Sequence, residues 1–162
     1  MTLTTHALVG AATASLMPQH PVLGFCAGFA SHFVIDAIPH WDYPIASSSI
    51  DPLQGAAMKY DGAFFLDMLR IGTDALFGIL LSVRLFATPV LLPIVLLGAV
   101  AGISPDPLQF VYTKFRHEPL LSLQRFHEWI HTKNHLENSK ILGIISQVLF
   151  IAAVIGAAKF LV

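Results

Sequence analysis

The stretch PVLGFCAGFASHFVIDAIP, residues 21–39, is apolar along most of its length yet carries His32 and Asp36. As a helix rising 1.5 Å per residue, it is of a length to cross a hydrocarbon core ~30 Å thick. Read on through His40, Trp41 and Asp42, it spaces His32, Asp36 and His40 by four. On a helix these three fall within an arc of roughly 80°. Pro39 is expected to end regular helix, turning His40 and Asp42 across its mouth. An ionisable group within a bilayer costs ~2.5–3.5 kcal/mol on insertion scales, so the stripe needs a compensating partner. One such partner is a cation held by imidazole nitrogens and carboxylates. The bland alternative is a polar stripe hydrogen-bonded to neighbouring helices.

Outward from this stretch the chain keeps the same character. Apolar residues make up 55% of its 162 positions and charged residues only 12%, about half the charged share of a soluble domain. Besides residues 21–39, apolar stretches run from Ala7 to Met17, Ala63 to Phe86, Pro89 to Ile103 and Ile141 to Val162. The expected fold is a single all-α domain, an integral membrane bundle of about five spans. The first stretch is too short to span unless it extends back through His6 or is a partial, tilted span. Trp41 to Tyr60 reads as a loop. Within the longer polar stretch Pro107 to Lys140, residues Leu120 to His135 read as an amphipathic interfacial helix.

Lys59, Lys114, Arg116, Arg125, Lys133 and Lys140 fall on one side of these spans, against Arg84 and Lys159 on the other. The positive-inside rule puts the long polar stretches and the N-terminus in the cytoplasm. Met1 to Thr5 has no basic residue and no cleavage motif, so no secretory signal is expected. A net charge of −1 gives no basic field for nucleic acid. The single Cys26 excludes an intramolecular disulfide and is expected to be a small buried hydrophobe.

The same topology brings further ionisable groups to the cytoplasmic side. His127 and His131 are four apart on the amphipathic segment, and His135 continues the spacing. A solvated helix face explains that pair equally well when taken alone. His6 opens the first stretch, and Asp106 follows the charge-free fourth, where a plain turn role is the alternative. Asp74 lies within the third stretch and pairs with Arg70, unless Asp67 takes the arginine and frees it. The expected metal ligands are therefore His6, His32, Asp36, His40, Asp74, Asp106, His127 and His131, with Asp42 and Asp106 as catalytic carboxylates. Only His20 falls on the far side, as a loop residue. Zinc is the first expectation from the histidine content, with manganese, magnesium or iron suiting a more carboxylate-rich site, and more than one ion within reach.

Thr5-His6-x3-Gly10, Ser31-His32-x3-Asp36-x3-Pro39-His40 and Ser104-Pro105-Asp106 together resemble the bacterial YdjM-type family of inner-membrane metal-dependent hydrolases. That family often has a second Asp two residues after the first, where this chain has Leu108. By looser analogy, the His and Asp mixture is similar to zinc-dependent phospholipase C. The resemblance implies a hydrolase. A site at headgroup depth then points to a phosphoester of a membrane lipid or lipid-linked substrate. Phosphatidic-acid phosphatases and CDP-alcohol phosphotransferases are excluded by missing motifs, since Asp61-Gly62 does not extend into the latter's signature. The rival class is a metal or proton transporter. Such a protein needs polar groups on the far side, where the third, fourth and fifth stretches are almost wholly apolar.

Overall fold

The computed structural model describes residues 1–51, 55–133 and 136–161. Seven helices account for most of them: α1 Leu3–Ser15, α2 Pro21–Asp36, α3 Gly62–Phe86, α4 Leu92–Ile103, α5 Pro105–Lys114, α6 Leu120–Ile130 and α7 Lys140–Leu161. A 3-10 turn, Leu136–Ser139, leads into α7. The loop expected after Trp41 contains a small antiparallel ribbon, β1 Ser48–Asp51 with β2 Gly55–Met58, in register Ser48 to Met58. The chain is thus helical but not purely α.

Local chemistry sets the helix ends. Pro21 opens α2, where its missing N–H costs nothing. That helix stops at Asp36, because Pro39 disfavours helical geometry at Ile38. Asp61 caps α3, its carboxylate accepting from Ala63 N and Phe64 N. The fourth apolar stretch, expected to end at Ile103, does so as α4, and Pro105 opens α5 beyond it at a 46° bend. The amphipathic segment is helical only as far as Ile130, and His135 lies outside the described residues, as does Val162.

Among the described residues, α7 is the one unbroken helix both long and apolar enough to cross a membrane. The bent α4–α5 pair passes as a second if counted as one span. The long α3 carries Asp67, Arg70, Asp74 and Arg84, and α2 is short. Five spans are therefore not delivered by helix length and composition.

The centre of the bundle is α1, which packs against α2, α3, α4 and α7. Its small residues permit unusually close contact. A Cβ added at Gly10 would collide with the Gly98 carbonyl of α4, and one at Gly102 with the His6 carbonyl. Gly98-x3-Gly102 facing Gly10 and Ala14 is a small-residue seam that lets two helix backbones approach closely. Ala7, Ala11, Val95 and Ala99 fill the space beside it. Cys26, expected inside, is exposed on the outer face of α2 beside Val22 and Leu23.

Candidate metal centre

The seam fixes the near end of the bundle, where the ionisable residues meet. His6 on α1 and His32 on α2 stack with ring centroids 3.9 Å apart. One turn beyond His32, Asp36 is buried at the end of α2. The chain then turns at Pro39 and returns His40 to within 3.8 Å of the same carboxylate. From the other half of the sequence α6 delivers His127 and His131. It is docked by Thr132 N donating to the Asp36 carbonyl and Leu136 N donating to the His40 carbonyl.

Asp36 is the hub. His32 Nε2 and His127 Nε2 each lie 3.1 Å from its Oδ2, and His131 Nε2 lies 3.8 Å away. On the other oxygen, His6 Nε2 lies 3.2 Å from Oδ1. Asp106 completes one side, its Oδ1 3.5 Å from His32 Nε2 and fixed by Gln109 Nε2 at 3.1 Å. Asp42 adjoins the other, its Oδ2 2.9 Å from His40 Nε2. The Met1 ammonium sits between Asp36 and Asp42 at 2.9 and 3.0 Å.

The outward nitrogens reveal the chemistry of the inward ones. His32 Nδ1 contacts the Gly102 carbonyl at 2.8 Å, His40 Nδ1 the Ile38 carbonyl at 2.7 Å, and His131 Nδ1 the Thr132 carbonyl at 3.2 Å. A carbonyl only accepts, so each Nδ1 carries the hydrogen. In a neutral ring Nε2 then presents a lone pair to the cluster. Lone pairs would face carboxylate oxygens and each other, with His32 Nε2 only 3.4 Å from His127 Nε2. Protonating several rings would crowd like charges together. A cation resolves the conflict, and a carbonyl behind each imidazole is how metal-ligating histidines are oriented. Buried His6 adds to the case, because neither nitrogen has a well-aligned hydrogen bond among the described residues. His127 Nδ1 is similarly unpaired among them.

Two groups of donor atoms are close enough for a metal ion: His32, Asp36, Asp106 and His127, and then Asp36, His40 and His131. The cluster can thus hold a metal ion.

Around its rim, burial opposes ionisation of Asp42, but His40 and the Met1 ammonium hold its carboxyl below the usual range. Burial likewise opposes the ammonium, and Asp36 and Asp42 overcome it, raising that pKa. Burial lowers His131 below its ordinary value. Tyr43 is pushed up by burial and then by the Asp74 and Asp106 carboxylates, so its hydroxyl stays protonated.

Seven of the expected ligands converge, and Asp74 does not. Its oxygens accept from Leu3 N at 2.6 Å, Thr4 N at 3.2 Å and Thr4 Oγ1 at 2.6 Å, anchoring the start of α1. Free N–H groups of a helix start, with their partial positive charge, outcompete a site farther off. Asp67 takes Arg70, though loosely at 3.8 Å, and accepts from Ser47 N at 2.7 Å. His20 stands exposed at the start of α2.

One supporting residue escaped the sequence reading. Gln147 is buried on α7, donating to the Trp41 carbonyl at 2.7 Å and accepting from Thr5 Oγ1 at 3.1 Å. Its signal was present as one amide within an otherwise apolar run. Comparison of the chain with protein families, with characterised proteins and with solved structures finds no match.

Proposed function

We propose that this chain is a multi-pass inner-membrane hydrolase of the YdjM type, holding divalent metal at a cytoplasm-facing centre and cleaving a phosphoester of a lipid or lipid-linked substrate. The observation that carries the reading is the convergence of carbonyl-oriented histidines on Asp36. A membrane location is supported by outward apolar side chains on helices that fail the single-span test, such as Val22 and Val34 on α2 and Phe65, Leu69, Phe77 and Leu80 on α3. Soluble surfaces rarely expose apolar area this continuously. Trp129, exposed on α6 close to the cluster, suits a helix lying at headgroup depth.

Within that reading the residues divide the work. His32, Asp36, Asp106 and His127 hold metal, with His6, His40 and His131 around them. Zinc suits a donor set of nitrogen and oxygen that tolerates four-coordination. Bound divalent ions supply Lewis acidity and lower the pKa of water toward ~7. Asp106, about a third exposed, is the carboxylate of that set that solvent reaches, and its oxygen not turned to the metal would be placed to take a proton from water. Asp42, its Oδ2 2.9 Å from His40 Nε2, stands where it would share a cation with that nitrogen.

Metal analysis of detergent-purified protein tests the centre. Wild type is expected to hold stoichiometric metal, and His32→Ala and Asp36→Ala to lose it. A panel of phosphoester lipids beside soluble esters tests the reaction, with cleavage falling by more than about 100-fold in Asp36→Ala. Metal-free wild type, with both variants equally stable, would sink the proposal. Metal uptake into liposomes without hydrolysis would replace it with transport.

A further inference from the structure

The geometry points to a centre of two inequivalent ions that share Asp36: a closely held one at His32, His127 and Asp106, and a more loosely held one at His40, His131 and Asp42. This rests on the cluster being a metal centre, not on its being a hydrolase.

Distances separate the two halves. Metal–ligand bonds of ~2.0–2.2 Å imply donor–donor edges of roughly 3.3–3.6 Å in a tetrahedron. The first set approaches this, with His32 Nε2 at 3.1 Å from Asp36 Oδ2, 3.4 Å from His127 Nε2 and 3.5 Å from Asp106 Oδ1. His127 Nε2 closes it at 3.1 Å from Asp36 Oδ2. The second set is wider. His40 and His131 each stand 3.8 Å from Asp36, and their rings are 5.0 Å apart.

Burial divides each set internally: His32 and His127 of the first and His40 of the second are enclosed, whereas Asp106 of the first and Asp42 and His131 of the second are partly exposed. Asp36 belongs to both donor groups: its Oδ2 lies 3.1 Å from His32 and His127 and 3.8 Å from His131, and its Oδ1 lies 3.8 Å from His40. The second half already attracts positive charge, since the Met1 ammonium lies between Asp36 and Asp42. A second ion displaces that ammonium. Tighter donors give the first ion slow exchange, and looser donors give the second fast exchange.

The test is titration of metal-stripped wild-type protein in detergent with Mn2+ alone, counting bound ions and recording electron paramagnetic resonance spectra. Two equivalents are expected, the second converting an isolated six-line spectrum into that of a spin-coupled pair. His131→Ala should bind one equivalent, remain uncoupled, and keep the tight step within about threefold. A single equivalent in wild type overturns the inference and leaves the ammonium as that half's permanent cation. Two magnetically isolated ions also overturn it, because Asp36 would not bridge. The wild-type titration needs no variant to fold. Two coupled ions without any phosphoester cleavage would support the inference while defeating the hydrolase; one ion with cleavage would do the reverse.

Discussion

Two helices of similar apolar character meet opposite fates in this protein. Helix α1 has 13 residues, ~20 Å of rise, and eleven of them are buried. Helix α7 has 22 residues, ~33 Å of rise, and only Gly143, Gln147 and Ala158 are buried. The shorter helix is the one that α2, α3, α4 and α7 pack around. The difference lies in side-chain size. Gly10, Ala11 and Ala14 let α1 touch backbone to backbone, whereas α7 meets the bundle through larger Phe150 and Val154 and turns Ile144, Val148 and Leu149 outward. Hydrophobicity measures what a helix avoids, and size decides how closely it is held.

Breaking the close contact should produce the largest effect. Gly10→Ile drives a branched side chain into the Gly98 carbonyl and should cost about 3 kcal/mol, measured by thermal unfolding in detergent. Metal content should fall with it, because the Gly102 carbonyl that orients His32 rides on the same seam. An intermediate effect is expected where α7 does touch α1. Gln147→Leu removes the bonds to Trp41 and Thr5 and should cost about 1 kcal/mol. A loss as large as that of Gly10→Ile would mean α7 belongs to the core. The smallest effect belongs to Leu149→Ala on the outward face, about 0.5 kcal/mol or less, with metal content unchanged. A larger drop there would reveal a protein partner in place of lipid.

What was legible in the sequence followed from spacing. Residues four apart on a helix share a face whatever surrounds it, so the His32–Asp36 and His127–His131 pairs could be read directly. Topology then put His6 and Asp106 at the same end. The roles of lone groups were not legible. Asp74 has the chemistry of a ligand, and only the position of α1 shows that backbone N–H groups claim it. Cys26 sits in an apolar run, but a helix embedded in lipid shows apolar residues outward as readily as inward, so the run could not tell which side it faced. Span ends were blurred for a related reason. Hydropathy continues through Ile38 and Pro39 after the helix has stopped, and through Pro89 before α4 starts. The β1–β2 ribbon is set by cross-strand pairing, which no local pattern announced.

The docking of α6 onto the end of α2 has a consequence in time. His127 follows Asp36 by 91 residues, so at ~5–20 residues per second of synthesis the carboxylate waits about 5–20 s for that partner. During that interval the Met1 ammonium, His6, His32 and His40, made before it or only four residues after, are the groups that can shield its charge. The N-terminal segment and α2 thus supply an interim shell for a carboxylate whose later partners complete it. Loading of a metal at this cluster would then be a late step, completed only after α6 has emerged.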